Sequence, residues 1–409
     1  MPPTGWKEGI RSLLDRVGPF HLDWIQVEVS SLCQGGCLYC PVSLCPPERQ
    51  GTLMSMETFR CLEPWFPSAD LVFLQGWGEP LLHPKFWEMA RRVRAAGARV
   101  GLTTGGALLD QVNRAALLDG GVDIMGVSLA GASPQIHDHF RPGNALDTVD
   151  ANLQALRKER KASGGEGPGL HLAYLLMTGN LHDLPHAVDL AEGWGADQIV
   201  VSHLSLVLSP GLEEEALLAH PDRWPQVQAT LDETRERAEA RGIGFHTYGP
   251  QGGERPEPAC TENVLASCFV SVRGDVSPCV MTNLGLGTGE EPGAGQGPDS
   301  RVVIVPHPGL EAQGEAGDAQ GLDGVEGSQV GPAPGCRGAS APTHWFRGSR
   351  TPLSSLIFGN VREASLKEIW YSSAARRFRE VFRERLEGGV RNTEGLPGPC
   401  IHCYKLFQR

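Results

Sequence analysis

Cys33-Gln34-Gly35-Gly36-Cys37-Leu38-Tyr39-Cys40 sets three cysteines at C-x3-C-x2-C spacing. Just before it, Trp24-Ile25-Gln26-Val27-Glu28-Val29 alternates apolar and polar residues, which predicts a β-strand. The cysteines therefore belong to a loop at the end of that strand. Thiolates are soft ligands, and such sets select zinc, copper or iron–sulfur clusters. In a cubane [4Fe–4S] cluster, three cysteines leave one iron open to an outside ligand. Gly35 and Gly36 let the backbone turn sharply and pass close to such a group. The alternative is a structural zinc site, which is usually closed by a fourth ligand and favours C-x2-C pairs.

Downstream of this loop the chain alternates short apolar runs with amphipathic stretches. Strands are expected at 71–74, 99–103, 123–129, 170–177 and 197–203, with helices at 55–66, 84–97, 108–119, 145–159 and 181–194. Strands alternating with helices imply parallel pairing through right-handed crossovers. The expected fold class is α/β: a partial (β/α)6 barrel over residues 21–250, after an N-terminal extension at 1–20. A small cysteine-rich domain then covers 251–409. In barrels the chemistry sits at the C-terminal ends of the strands, where the three cysteines fall.

The C-terminal part holds Cys260, Cys268, Cys279, Cys400 and Cys403. Phe269 to Cys279 reads as a β-hairpin turning at Gly274-Asp275. A helix is expected around 374–386. Between these, residues from about 285 to 341 are dominated by glycine, proline, glutamate and glutamine. That composition predicts a flexible insertion with at most a short strand at 301–305. Cys45, Cys61 and Cys336 read as free thiols.

The C-x3-C-x2-C loop, with an aromatic residue before its last cysteine, resembles the cluster motif of the radical S-adenosylmethionine (radical SAM) superfamily. The resemblance implies a [4Fe–4S] cluster on Cys33, Cys37 and Cys40. Its open iron would bind S-adenosylmethionine, which an electron cleaves to methionine and a hydrogen-abstracting 5′-deoxyadenosyl radical. Gly78-Glu79-Pro80 resembles the family's Gly-Gly-Glu segment, whose backbone contacts the methionyl amino group, although Trp77 intervenes between the glycines. Ser128, in Val127-Ser128-Leu129-Ala130-Gly131, is placed by the resemblance near the ribose or carboxylate, with Ala130 where an acid is usual. Thr103-Thr104-Gly105-Gly106 is similar to the family's Thr-Asn-Gly turn. Arg141 stands where the family often has a carboxylate-binding arginine, and Asn180 near the adenosine. For Arg141 and Asn180 the residues alone allow an ordinary loop role equally well. Of the histidines, His203 alone ends a strand near the expected active face.

Cys260, Gly274 and Cys279 form a C-x13-G-x4-C pattern. With Phe358-Gly359-Asn360 and Glu368-Ile369-Trp370, it resembles the SPASM or twitch auxiliary-cluster domains of many radical SAM enzymes. This implies one auxiliary [4Fe–4S] cluster on Cys260, Cys279, Cys400 and Cys403, with Cys268 as substitute for Cys260 and a zinc ribbon as alternative. Six residues follow Cys403, so a second auxiliary cluster is not expected.

The net charge of −12 argues against a nucleic-acid partner. No window is long and apolar enough for a membrane span and no secretory core is present, so a cytoplasmic location is expected. Clustered cysteines without an export signal fit metal ligation better than disulfides. The expected function is a maturase acting on a peptide or protein, fed by an electron donor such as ferredoxin or flavodoxin. The alternatives are a small-molecule radical SAM enzyme in cofactor biosynthesis and a non-catalytic iron–sulfur or zinc protein.

Overall fold

The computed structural model describes residues 20–44, 51–165, 167–248, 256–284 and 343–407. The expected insertion at 285–341, its strand at 301–305, Cys45, Cys336 and most of the 1–20 extension lie outside them.

Six strands run parallel in chain order: β1 (Leu22–Val27), β2 (Ala69–Phe73), β3 (Arg99–Thr104), β4 (Ile124–Leu129), β5 (Gly169–Leu176) and β6 (Gln198–His203). A seventh, β7 (Gly244–Thr247), continues the parallel order beside β6, after the helix Trp224–Glu239. On the other side β1 pairs in parallel with β8 (Ser267–Val270), which turns back as β9 (Asp275–Ser277). A separate hairpin, β10 (Thr343–Phe346) and β11 (Ser349–Pro352), precedes β12 (Gly359–Asn360), which pairs with β9. The result is a ten-stranded sheet in the order β12-β9-β8-β1 through β7. The α/β barrel expectation holds, and the cysteine-rich part grows directly out of the barrel sheet.

Alternation along the strands separates two faces. Ile25, Val72, Leu102, Val127, Leu172 and Ile199 are fully buried in one apolar cluster. It also holds Phe86 and Met89 of the helix Phe86–Ala95 and Val188 and Ala191 of the helix Ala187–Trp194. The opposite face is largely half-buried and mixed, with Leu71, Phe73 and Leu175 beside polar residues. Thr103, Gly126, His171 and Gln198 stand in register across β3 to β6, with Ser128 one pleat further along β4. Burial thus drives the outer layer together and leaves the inner row available for chemistry.

Several local expectations change. The helix capped by Ser55 stops at Arg60, because Pro64 and Pro67 allow only 3-10 turns from Glu63 to Ser68. The helix expected at 108–119 is regular only over Gln111–Ala116, capped by Asp110, and then widens into a π turn. Residues 178–186 are 3-10 rather than α, with Pro185 inside. An additional helix, Pro134–Phe140, follows β4. The β8–β9 turn is Ser271 to Gly274, closed by the Gly274 N–H donating to the Ser271 carbonyl at 2.8 Å. Gly274 takes φ +89°, which is why glycine stands there. Among the described residues no helix is long and apolar enough to cross a membrane.

Candidate functional site

The cysteine loop leaves β1 at the C-terminal ends of the strands, and two neighbouring loops clamp it. Residues 140–144 follow the helix Pro134–Phe140. The N–H of Gly36 donates to the Pro142 carbonyl at 2.7 Å, and that of Leu38 to the Phe140 carbonyl at 3.1 Å. Gln34 donates to the Asn144 side-chain oxygen at 3.1 Å. On the other flank the Glu79 N–H donates to the Leu32 carbonyl at 2.7 Å. A Cβ on Gly78 would collide with the Ser30 and Leu32 carbonyl oxygens, so only glycine lets this segment lie against the loop. The Cys40 sulfur lies 3.9 Å from the Trp77 carbonyl oxygen.

Glu79 is buried, and its carboxylate accepts from Thr104 Oγ1 at 2.9 Å, Gly105 N–H at 2.8 Å and Leu81 N–H at 3.1 Å. It ties the end of β2 to the Thr-Thr-Gly-Gly turn after β3. Burial raises its pKa against the pull of those donors. Glu28, which the sequence reading passed over, is also buried. Its carboxylate accepts from the Trp77 N–H at 3.0 Å and the Val272 N–H at 3.4 Å. An acid at an alternating strand position was the signal that marked it.

Arg141 is buried and donates through Nη1 to the Tyr39 hydroxyl at 2.6 Å. It caps the unexpected helix Pro134–Phe140 and so faces the cysteine loop. Ser128 lies half-buried on the inner face of β4. Asn180 is fully buried, its amide donating to the Ala130 and Leu175 carbonyls at 3.1 and 2.8 Å and accepting from the Met177 N–H at 2.7 Å. It acts as a cap joining the ends of β4 and β5.

The arrangement around Cys33, Cys37 and Cys40 suits an anionic cluster with an anionic ligand. Two buried donors beside the loop, Arg141 Nε and Asn144 Nδ2, have no hydrogen-bond partner. Burial raises the Cys33 thiol to about 11. An unligated thiolate there is therefore disfavoured, and a metal would supply the missing positive charge.

The second set converges on a separate apolar cluster. Cys260, Cys279 and Cys400 pack with Val264, Phe378 and Phe382, the phenylalanines coming from the helix Ser373–Gly388. Burial and mutual repulsion push the Cys260 and Cys400 thiols well above their ordinary value, and Cys403 belongs to the same interacting group. Cys268 instead sits on β8 opposite Ile25, 2% exposed in the barrel core. Geometry therefore groups Cys260, and not Cys268, with the other three. None of the nine described cysteines is in a disulfide.

The motif from Phe358 to Trp370 has a physical basis. Asn360 donates to the Arg273 carbonyl at 3.0 Å and to Asp275 at 2.8 Å, holding the β8–β9 turn. Ser365 and Glu368 form a reciprocal cap on the helix Leu366–Trp370. The Arg379 guanidinium lies 3.8 Å over the Trp370 ring.

Comparison with known proteins bears on the family and the fold. Residues 27–191 match the radical SAM superfamily, and residues 343–404 match SPASM, an iron–sulfur cluster-binding domain. The chain belongs to the radical SAM superfamily. One relative is the tungsten-containing aldehyde ferredoxin oxidoreductase cofactor-modifying protein of Pyrococcus furiosus, 30% identical over 146 residues, 36% of this chain and 40% of that protein. An AdoMet-dependent heme synthase of Methanosarcina barkeri is 26% identical, with 62% of this chain and 75% of that protein covered. A PqqA peptide cyclase of Granulibacter bethesdensis is 24% identical, covering 62% and 66%. This radical SAM chain thus spans well under half the length of the first relative and about two thirds to three quarters of the others. Among solved structures, Streptococcus suis SuiB bound to precursor peptide SuiA aligns over 98% of this chain and 74% of that one, at TM-score 0.55 and 12% identity. Native anSMEcpe with bound AdoMet aligns over 88% and 84%, at TM-score 0.54 and 13% identity. At such identities these likenesses show a shared fold.

Proposed function

We propose that this protein is a radical SAM enzyme that matures a peptide or protein. Cys33, Cys37 and Cys40 hold a [4Fe–4S] cluster, and S-adenosylmethionine lies between the Gly78-Glu79 segment, Ser128 and Arg141. When bound, cluster and S-adenosylmethionine together supply a hydrogen-abstracting 5′-deoxyadenosyl radical. The carrying observation is the clamping of the three-cysteine loop at the strand ends, beside the unpartnered donors Arg141 Nε and Asn144 Nδ2. The chain's own residues fix the loop and present the Arg141 guanidinium and the Asn144 amide to a carboxylate.

Cys260, Cys279, Cys400 and Cys403 are proposed to hold one auxiliary [4Fe–4S] cluster, within a domain spanning about 251–409 that follows a core at 21–250. Four protein ligands close such a cluster and suit it to electron transfer or structure. A peptide substrate is supported by the PqqA peptide cyclase relative and by the fold shared with SuiB. The electrons come from a ferredoxin- or flavodoxin-class donor. A second reading, a cofactor-modifying enzyme, draws on the heme synthase, which aligns over 75% of its length.

Anaerobically reconstituted protein with reductant is expected to convert S-adenosylmethionine to 5′-deoxyadenosine. The Cys33→Ala/Cys37→Ala/Cys40→Ala variant is expected to lose that conversion. Persistent cleavage in the triple variant would sink the assignment.

A further inference from the structure

Each half of the second cysteine set carries a charged residue two positions after a thiol. Glu262 follows Cys260, and Lys405 follows Cys403. In both places the main chain of that charged residue lies beside the thiol and favours its ionised form. The two side chains meet each other, with Lys405 Nζ 2.8 Å from the Glu262 carboxylate. They are only 12% and 20% exposed. The short 3-10 turn Tyr404–Phe407 buries Tyr404, Leu406 and Phe407 around Lys405 and holds it inward.

We propose that Glu262 and Lys405 set the reduction potential of the iron–sulfur group on Cys260, Cys279, Cys400 and Cys403, Lys405 raising it and Glu262 lowering it. The proposal rests on the auxiliary-cluster reading. Reduction adds an electron to a group that is already anionic through its thiolates. A cation held nearby stabilises the reduced form, and a carboxylate destabilises it. In a pocket shielded from water both effects exceed those at a surface. Residues outside the ligand set commonly tune a metal centre in this way.

Two arginines of the domain are engaged elsewhere. Arg379 stacks on Trp370, and Arg391 pairs with Glu257 at 3.0 Å. From the barrel, His203 at the end of β6 faces Lys405, and burial together with that positive charge keeps its ring neutral. Lys405 and Glu262 are thus the charges built into this site. An isolated ion pair is a poor source of stability, because desolvation offsets attraction, so a role through the cluster explains its burial better than a structural one.

The test uses full-length protein lacking the core cysteines (Cys33→Ala/Cys37→Ala/Cys40→Ala), reconstituted with iron and sulfide. Iron is measured first, and the midpoint potential is then read by a redox titration followed by electron paramagnetic resonance. Lys405→Met is expected to shift the potential negative and Glu262→Gln to shift it positive. Lys405→Arg stays near the parent, and the Lys405→Met/Glu262→Gln double variant falls between the two single ones. Should Lys405→Met fail to hold iron, Glu262→Gln and Lys405→Arg decide the matter. Bound iron with Glu262→Gln at or below the parent potential would overturn the inference alone. A parent that binds no iron would overturn the cluster reading and the inference with it.

Discussion

The indole N–H of Trp77 donates to the main-chain carbonyl of Asn283 at 3.2 Å. Trp77 stands between Gly76 and Gly78 on the loop that touches Cys40, and Asn283 lies four residues beyond Cys279. One side chain therefore joins the loops leading to both cysteine sets. Trp77→Phe keeps an aromatic ring and removes the donor. Its expected cost is about 1 kcal/mol, the usual net worth of such a bond, with iron retained at both sites. Chemical denaturation and iron analysis check this, and loss of iron from either set would show that the tryptophan does more than brace the loops.

Gly78→Ala is expected to be severe. The added methyl meets main-chain oxygens of Ser30 and Leu32, which cannot move without dislodging the cysteine loop. Overpacking of this kind costs about 1–3 kcal/mol or more, and core iron should fall with it. Gly211→Ala, where open space surrounds the added atom, is the matched control. Equal thermal midpoints for the two variants would contradict the close approach.

Arg141→Lys retains a charge but loses the planar fork. Hydrogen bonds to charged groups contribute about 1.5–3 kcal/mol, so affinity for S-adenosylmethionine should drop by roughly ten-fold or more with the core cluster intact. Equilibrium binding to reconstituted protein measures it, and unchanged affinity would return Arg141 to a purely structural role beside Tyr39.

Cys260→Ala and Cys268→Ala should part company. In protein lacking the core cysteines, Cys260→Ala is expected to lose most of the remaining iron. Cys268→Ala should keep it and show only a packing loss in the barrel core. The reverse pattern would reassign the ligand.

Acid should weaken the fold through its buried histidines. Burial holds His137 and His203 near a pKa of about 4, below the ordinary 6.5. A histidine whose folded pKa is depressed contributes stability that is full above the unfolded value and lost as pH falls toward the folded one. Stability should therefore decline between about pH 6.5 and 4 in metal-free protein. His137→Gln, which keeps a hydrogen-bonding side chain near the Asn144 carbonyl, should flatten part of that slope. An unchanged slope would mean that this histidine is already accessible to protons.

Much of this was legible in the chain. Cys33, Cys37 and Cys40 follow β1 at a spacing that local pattern displays directly, and β2 to β6 showed as apolar runs between amphipathic stretches. The Phe358–Trp370 motif was equally plain. What escaped notice depends on contacts far apart in sequence. β7 is a four-residue strand with little apolar content, visible only through its pairing with β6. The helix Pro134–Phe140 contains two histidines and an aspartate, so its sequence gave weak periodicity, yet it is what turns Arg141 toward the cysteines. Glu28 reads locally as one polar position in a strand, and its partners Trp77 and Val272 lie far downstream. Spacing favoured Cys260 and kept Cys268 as its substitute, and the pairing of β8 with β1 is what sets Cys268 apart in the barrel core.

That pairing also bears on how the protein is made. Trp24 lies opposite Ser267 in the finished sheet. A ribosome delivers β1 long before β8 exists, so one side of the first strand waits as an open edge while the barrel assembles behind it. Closing such a distant pair is slow relative to local helix formation. On the proposed ligand set, metal would load at the second cysteine set only after β8 has docked and Cys400 and Cys403 have emerged, whereas the first set is complete before β2 is made.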